Sequence, residues 1–240
     1  MQLRTSQKQM SESFWTITLL TLSGGFQDAY TYFSRGKVFA NAQTGNLVLM
    51  TARLVDGDFS GFFHYLFPVL SFCLGIVVAG EVHHHFKHSR FHWRQSILLV
   101  EIFLLFITPL IRLDPLANCL VSFSCAMQVQ SFRKVHGFPF ASTMCIGNLR
   151  NSVDHMLLYF QTHDQQEIRI SSAYLRIIIF FIIGSGLGKI FCDWLGLQAL
   201  WISCLLLFGA LLIMFHDPKA LSRQTVSQID GEEDLLKREQ

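Results

Sequence analysis

Charge is what this sequence has least of. Asp, Glu, Lys and Arg make up 15% of its 240 residues, where a soluble domain carries roughly 25%. Hydrophobic residues make up 51%, and the mean hydropathy is +0.37. That deficit excludes an ordinary water-soluble globule and predicts an integral membrane protein, with a polar tail but no separate soluble domain. Clustered basic residues are missing too: the net charge is +2 and Lys and Arg are spread between apolar runs, so nucleic acid is not an expected partner. The six cysteines, Cys73, Cys119, Cys125, Cys145, Cys192 and Cys204, lie in apolar segments without a C-x-x-C pair. That excludes a zinc site or disulfide framework and leaves them as small buried hydrophobes. No nucleophile–base spacing is present, so neither an enzyme nor a cofactor is expected. Arg4 and Lys8 precede the first apolar run, but no small-residue cleavage site follows, which predicts a retained helix rather than a cleaved signal peptide.

What the sequence does have is an unusual stretch from Asp28 to Met50, DAYTYFSRGKVFANAQTGNLVLM. It sets an acid, a glycine turn and Thr44-Gly45-Asn46 inside or beside hydrophobic sequence. Lipid offers such groups no partner, and each unsatisfied one costs several kcal/mol. A weaker copy, MQVQSFRKVHGFPFASTMCIGNL, runs from Met127 to Leu149.

Taken in order, the first span covers 14–33. Its Gly24 and Gly25 allow close helix approach or a local break. Asp28 is either a carboxylate facing a cavity or partner, or an interfacial acid near the basic pair Arg35 and Lys37. Residues 38–55 form either a short crossing or a re-entrant segment that breaks near Thr44-Gly45-Asn46. Thr and Asn suit an N-cap there, and the half-helix terminus would offer N–H groups and a positive dipole end to a solute. The alternative is a packing motif with Asn46 bonded to a neighbouring helix. A connector, 56–60, leads to a span over 62–82. After it, His83, His84, His85, His88 and His92 allow three imidazoles at i, i+4 and i+8, a spacing able to hold a metal; the alternative, which we favour, is an interfacial loop without metal beside Trp93.

The fourth run, 96–111, carries Glu101 near its start, read as interfacial. The fifth covers 116–132. The segment 138–160, with Ser142, Thr143, Asn148, Arg150 and Asp154, is too polar to face lipid on all sides; Arg150 and Asp154 stand four apart and are spaced to pair. A polar loop over 161–172 precedes a span over 173–192, where Gly184, Gly186 and Gly188 form a close-packing stripe. The last span is 197–215.

The two halves align: Gln27 with Gln128 and Gly36 with Gly137 at one offset, then, after one inserted residue, Gly45-Asn46 with Gly147-Asn148. The expected fold is therefore an all-α polytopic membrane protein. It comprises a cytoplasmic N-terminus 1–13, repeats over 14–112 and 116–215, and a polar C-terminal tail 216–240. Either about six helices cross and the G-N segments are re-entrant or short, making the halves inverted, or eight cross and the halves are parallel. The inverted model places Lys87, Arg90, Arg94, Arg133, Lys134, Arg169 and Arg176 inside and Arg35, Lys37, Arg53, Arg112 and Lys189 outside. That agrees better with the positive-inside tendency and sets both termini in the cytoplasm.

GGFQDAYTYF followed by GKVFANAQTGNLVLM, with the second G-N copy and the glycine-bearing helices behind each, resembles the YoaK-like family of bacterial membrane proteins, a domain-of-unknown-function group. The resemblance covers 14–215. It implies a cell (inner) membrane protein with about six transmembrane segments, and it assigns Gly25, Asp28, Ala29, Thr44, Gly45 and Asn46 to the family motif. The second half departs from it, with Val129 opposite Asp28 and Ile146 opposite Thr44.

The leading functional expectation is a transporter or channel for a small polar solute or ion, with its path between the repeats. Asp28, Thr44, Gly45, Asn46, Gly147 and Asn148 are expected along that path, supported by Gln27, Gln128, Arg150 and Asp154. The alternative is a structural or regulatory membrane protein whose polar residues hold helices together. The expected partners are the lipid bilayer and the unidentified solute, and a homo-oligomer is left open.

Overall fold

A computed structural model describes residues 14–86, 93–135, 138–139, 143 and 145–215. Its helices are α1 (Phe14–Ser34), α2 (Gln43–Val55), α3 (Phe59–Phe86), α4 (Trp93–Ile107), α5 (Asp114–Ser131), α6 (Cys145–Thr162), α7 (Gln165–Leu195) and α8 (Leu200–Phe215). A two-residue antiparallel ladder joins β1 (Lys134–Val135) to β2 (Phe138–Pro139). Helices dominate because each satisfies its own backbone, which lipid cannot do.

Among the described residues, three helical stretches are long and apolar enough to cross a membrane: Phe59–Phe86, Trp93–Leu110 and Gln165–Phe215. The second is α4 with its 3-10 turn Thr108–Leu110, and the third is α7 and α8 joined through the 3-10 turn Gly196–Ala199. The distribution of side chains agrees. Phe67, Leu74, Ile182, Leu205 and Phe208 point outward, while Ser23, Gln27, Glu101, Ser122 and Ser203 are buried. Apolar outside and polar inside is the arrangement lipid selects. The chain is an all-α membrane protein.

The core is drawn from α1, α4, α5 and α8, with Leu20, Phe26, Leu98, Leu105, Val121 and Leu207 at its centre. Around it, α1 packs along α7 and α8, α5 along α3 and α4, α2 on α3, α6 on α7, and α4 on α8. Direction follows from which residues meet. Ile17 clusters with Ile170 and Tyr174 and Phe26 meets Phe191, so α1 and α7 run parallel. Gly75 meets Ala126 and Gly80 meets Gln130, so α3 and α5 run parallel too. Helices α1 and α5 run antiparallel: Asn118 Nδ2 donates to Arg35 O at 2.7 Å, Cys125 Sγ to Gln27 Oε1 at 2.7 Å and Gln128 Nε2 to Leu20 O at 3.2 Å.

Helix α1 is unbroken at Gly24-Gly25, and Gly25 instead brings it against the Phe181 backbone of α7. Two other expectations are corrected. The polar stretch 161–172 is mostly helix: α7 begins at Gln165, capped by Asp164, whose Oδ1 accepts Gln166 N at 2.8 Å. Residues 161–166 are exposed, and the buried Ser171 is held by α6, where Ser152 Oγ donates to Ser171 O at 3.0 Å. Glu101 is not interfacial; α4 starts at Trp93, which puts the carboxyl at mid-helix and fully buried.

Of the glycine stripe, Gly184 lies against the Leu22 carbonyl and Gly188 against Phe26 and Ala29, while Gly186 faces open space. A Gly184→Val variant is therefore expected to lose ~1–3 kcal/mol through overpacking, and Gly186→Val to stay within ~0.5 kcal/mol. Thermal melting of the detergent-solubilised variants, followed by circular dichroism, checks this; equal melting temperatures would refute the close α1–α7 seam.

Candidate functional site

The site begins where α1 ends. Gly36 and Lys37 take positive φ, 83° and 66°, a conformation glycine adopts freely, and the chain turns back along α1. Residues 38–42 run inward until Asn41 N donates to Asp28 Oδ1 at 2.7 Å and Asn41 Nδ2 to Gly24 O at 3.3 Å. Helix α2 starts there and runs back out. Its return is fixed by His64 of α3, whose Nε2 lies 2.9 Å from Gly36 O. The segment is a hairpin of one extended and one helical leg, and α2, with 13 residues, is about 20 Å long.

An extended leg has no helix to satisfy its backbone, and Asn46 supplies what is missing. Its Oδ1 accepts Phe39 N at 2.9 Å, and its Nδ2 donates to Phe39 O at 2.7 Å and to Gln43 Oε1 at 2.8 Å. The amide thus imitates a neighbouring strand. Gln43 Nε2 donates to Ala40 O at 2.7 Å, and Gly45 lies against the Phe39 ring, where a side chain would not fit. The expected N-cap role for Thr44 or Asn46 is corrected. Helix α2 begins at Gln43 with Ala42 as its cap and no side-chain cap bond, and its first amides are engaged by the turn, Gln43 N on Asn41 O and Gly45 N on Ala42 O.

The second half places α6 in a comparable position. Helix α6 starts beside Asp28, with which Cys145 interacts, and runs out along α7, held by the Ser152–Ser171 bonds and by His155 Nδ1, 2.5 Å from Glu167 Oε2. Because α7 is parallel to α1, α6 leaves towards the end at which α1 begins, opposite to α2. The first turns of α2 and α6 share one cavity of about 710 Å³, lined by Asp28, Asn41, Thr44, Thr143, Gly147 and Ser185 among others. That volume is within the ordinary range for small-molecule sites. Two buried atoms on its lining residues, Asn41 Oδ1 and Thr143 Oγ1, have no hydrogen-bond partner among the described residues.

Three of the six residues expected on a path, Asp28, Thr44 and Gly147, line this cavity. Gly45 and Asn46 stand behind it, the latter fully buried and occupied with Phe39. Asn148, at 2% exposed, is likewise outside the lining. Gln27 is in the bundle core, its Nε2 donating to Ser23 Oγ at 2.8 Å and Ser203 Oγ at 3.1 Å, and Gln128 bonds to Leu20. Arg150 Nε lies 3.6 Å from Asp154 Oδ2, and both side chains are exposed, 83% and 58%, so they are spaced as an ion pair away from the cavity. Arg35 does not neutralise Asp28: fully buried, it donates to Tyr30 Oη, Thr108 O, Ile111 O and, at 2.9 Å, to Asp114 Oδ1. Sequence reasoning missed Asn41 and Ser185 on the cavity wall. Asn41 carried a readable signal, standing in the same break as the Thr44-Gly45-Asn46 triplet.

Of the histidines, His83 lies tilted against Trp93 and His84 meets His85 edge to face; His88 and His92 lie outside the described residues, as do Gly137, Ser142, the N-terminal segment and the tail. Among the described residues, no group of three His, Cys, Asp or Glu is placed to hold a metal.

A family model described as "Protein of unknown function (DUF1275)" matches residues 16–213. The UPF0700 transmembrane protein YoaK of Bacillus subtilis (strain 168) is 22% identical over 207 residues, a match covering 82% of this chain and 91% of that protein. No solved structure matches. The resemblance read from the sequence is borne out.

Replacing Asn46 by Leu removes three hydrogen bonds and is expected to cost ~2–4 kcal/mol at the usual net value of each. Amide exchange over 38–42, measured by mass spectrometry, should rise in that variant. Unchanged exchange would mean that Asn46 does not hold the extended leg.

Proposed function

We propose, on the premise that this chain belongs to the DUF1275 family of proteins of unknown function, that it moves a small polar solute or ion across a bacterial cell membrane, through the cavity between its two halves. The observation that carries this reading is the meeting of two half-helix starts and an acid, Asp28, on one cavity inside a membrane protein. Polar groups at that depth are costly and serve transport in many membrane proteins. The unpartnered Asn41 Oδ1 and the Asp28 carboxylate are acceptors, which favours a cation or a solute rich in N–H or O–H donors.

The reading includes inverted internal repeats. Exchanging the halves maps α1 on α7 onto α5 on α3, α1 on α8 onto α5 on α4, and α2 on α3 onto α6 on α7. With α1 and α5 antiparallel, the exchange is a two-fold rotation about an axis in the membrane plane. Helices α1, α3, α4, α5, α7 and α8 then cross, giving six, and α2, with its extended leg, and α6 are re-entrant. In this arrangement the face where α1 starts and α8 ends carries the larger share of Lys and Arg, which orients it to the cytoplasm.

Osmotic re-swelling of proteoliposomes, followed by light scattering, tests the proposal with urea, glycerol and the chlorides of potassium and methylammonium as probes. At least one is expected to enter faster than into empty vesicles. Asp28→Asn and Gly147→Trp, the latter filling an open position on the wall, should slow it about tenfold, equivalent to about 1.4 kcal/mol in the barrier. Four traces indistinguishable from empty vesicles, or an entry rate unchanged in both variants, would overturn the reading. The structural alternative would then lead, for which the fully engaged Asn46 is the favouring observation.

A further inference from the structure

A second acid lies deeper than the cavity. Glu101 stands at the middle of α4, fully buried, and among the described residues neither carboxyl oxygen accepts a hydrogen bond of ordinary geometry. Gln27 of α1 faces it, but the Gln27 amide nitrogen is committed to Ser23 and Ser203, and those hydroxyls lie 2.7 Å from each other. The titratable groups near it are thiols, Cys204 on α8 and Cys125 on α5, and Cys125 is close to Asp28 as well. Helix α3 meets α4 through apolar Val78 and Ala79. Among the described residues, no Lys, Arg or His pairs with Glu101.

An ionised carboxylate cannot stay alone in such a place, because stripping it of water without a partner is prohibitively costly. A proton or a cation must accompany it. A metal cation needs several oxygen ligands, and here the neighbouring hydroxyls are already bonded to one another and to Gln27. A proton needs one oxygen.

We propose that Glu101 is a proton-binding site at the centre of the membrane, separated from the solute cavity by little more than Cys125 and Gln27, and that solute movement is coupled to its protonation. The inference rests on the transport reading above. The groups between the two acids are few: Cys125 lies close to both Asp28 and Glu101, and its Sγ donates to Gln27 Oε1 at 2.7 Å, beside Glu101. On protonation one O–H bond forms on a Glu101 oxygen as one breaks on a hydronium ion from the cavity; release reverses both, and no electrons change hands. A cation at Asp28 and a proton on Glu101 are then linked charges, so that binding of either alters binding of the other.

The full-length chain in liposomes with trapped pyranine, under an inside-negative potassium diffusion potential set by valinomycin and with urea, glycerol or methylammonium chloride added outside in turn, reads proton movement directly. The wild type is expected to acidify the lumen, Glu101→Gln to lose this at least about tenfold, equivalent to about 1.4 kcal/mol, and Glu101→Asp, which keeps the carboxyl, to retain part of it. Infrared difference spectra between acid and alkaline samples should show a protonated-carboxyl band in the wild type that Glu101→Gln lacks. Equal acidification by the wild type and Glu101→Gln overturns the proposal, as does a wild type with neither acidification nor the band. If Glu101→Gln fails to fold, Glu101→Asp and the wild-type band decide. Solute entry without proton movement or band refutes this inference alone; band and proton movement without entry of any probe sustain the proton site and refute the solute path.

Discussion

A bilayer offers a polar group no hydrogen-bond partner, and the rest of this structure follows from that constraint. Most of the chain meets it by being helical. The residues before α2 do not, and it is there that sequence is spent on satisfying backbone: Asn46 on Phe39, Gln43 on Ala40, Asp28 on Asn41. The same logic explains Arg35. At the turn between α1 and the extended leg it is buried with five donors, and it is satisfied by two carbonyls at the end of α4, the Tyr30 hydroxyl and Asp114 at the start of α5. One guanidinium thereby fastens the first hairpin to the junction between the halves. Removing one partner of such a group leaves a buried charge uncompensated, which is why the arrangement is tightly specified.

Asp28 then has two duties. It anchors the extended leg through the Asn41 amide, and it is an acid on the cavity wall. A carboxylate with only the first duty could be replaced by an amide, since a carbonyl oxygen accepts the same N–H. An acid there brings a charge that the anchor does not need, on a wall that also carries the unpartnered oxygen of Asn41.

Much of the fold was legible because long apolar runs in a low-charge chain have few alternatives to membrane helices, and because glycines at helical spacing point to close packing. Starts of helices were less legible. Residues 93–95, Trp-Arg-Gln, read as loop by polarity yet form the first turn of α4, and that shift moved Glu101 from an interface to the middle of a helix. The polar start of α7 misled for the same reason: hydropathy does not reveal that a neighbouring helix supplies Ser152 for Ser171. In the site, the residue types were readable and their directions were not. Asn46 stood out correctly as unusual, but whether its amide faced a solute or its own backbone depends on the path of Phe39, and the partner of Arg35 is 79 residues away in the chain.

The halves also divide their labour. Where the first has Asp28 and Thr44, the aligned positions of the second are Val129 and Ile146, so the cavity's acid comes from the first half, while the second adds Thr143 and Ser185 to its polar wall. The bonds are divided too. Helices α1, α5 and α8 are tied across their centre by Gln27, Ser23, Ser203 and Cys125, and the junction by Arg35, whereas α2 and α6 rest mainly along one neighbour each, α3 and α7. Elements with fewer buried attachments open at lower free energy than the core they flank. A change of access to the cavity would therefore fall on α2 and α6, whose first turns form its wall, while the cross-bonded centre beside Glu101 stays fixed. That separation is what the proposed carrier requires, with solute admitted at α2 and α6 and a proton held at the axis.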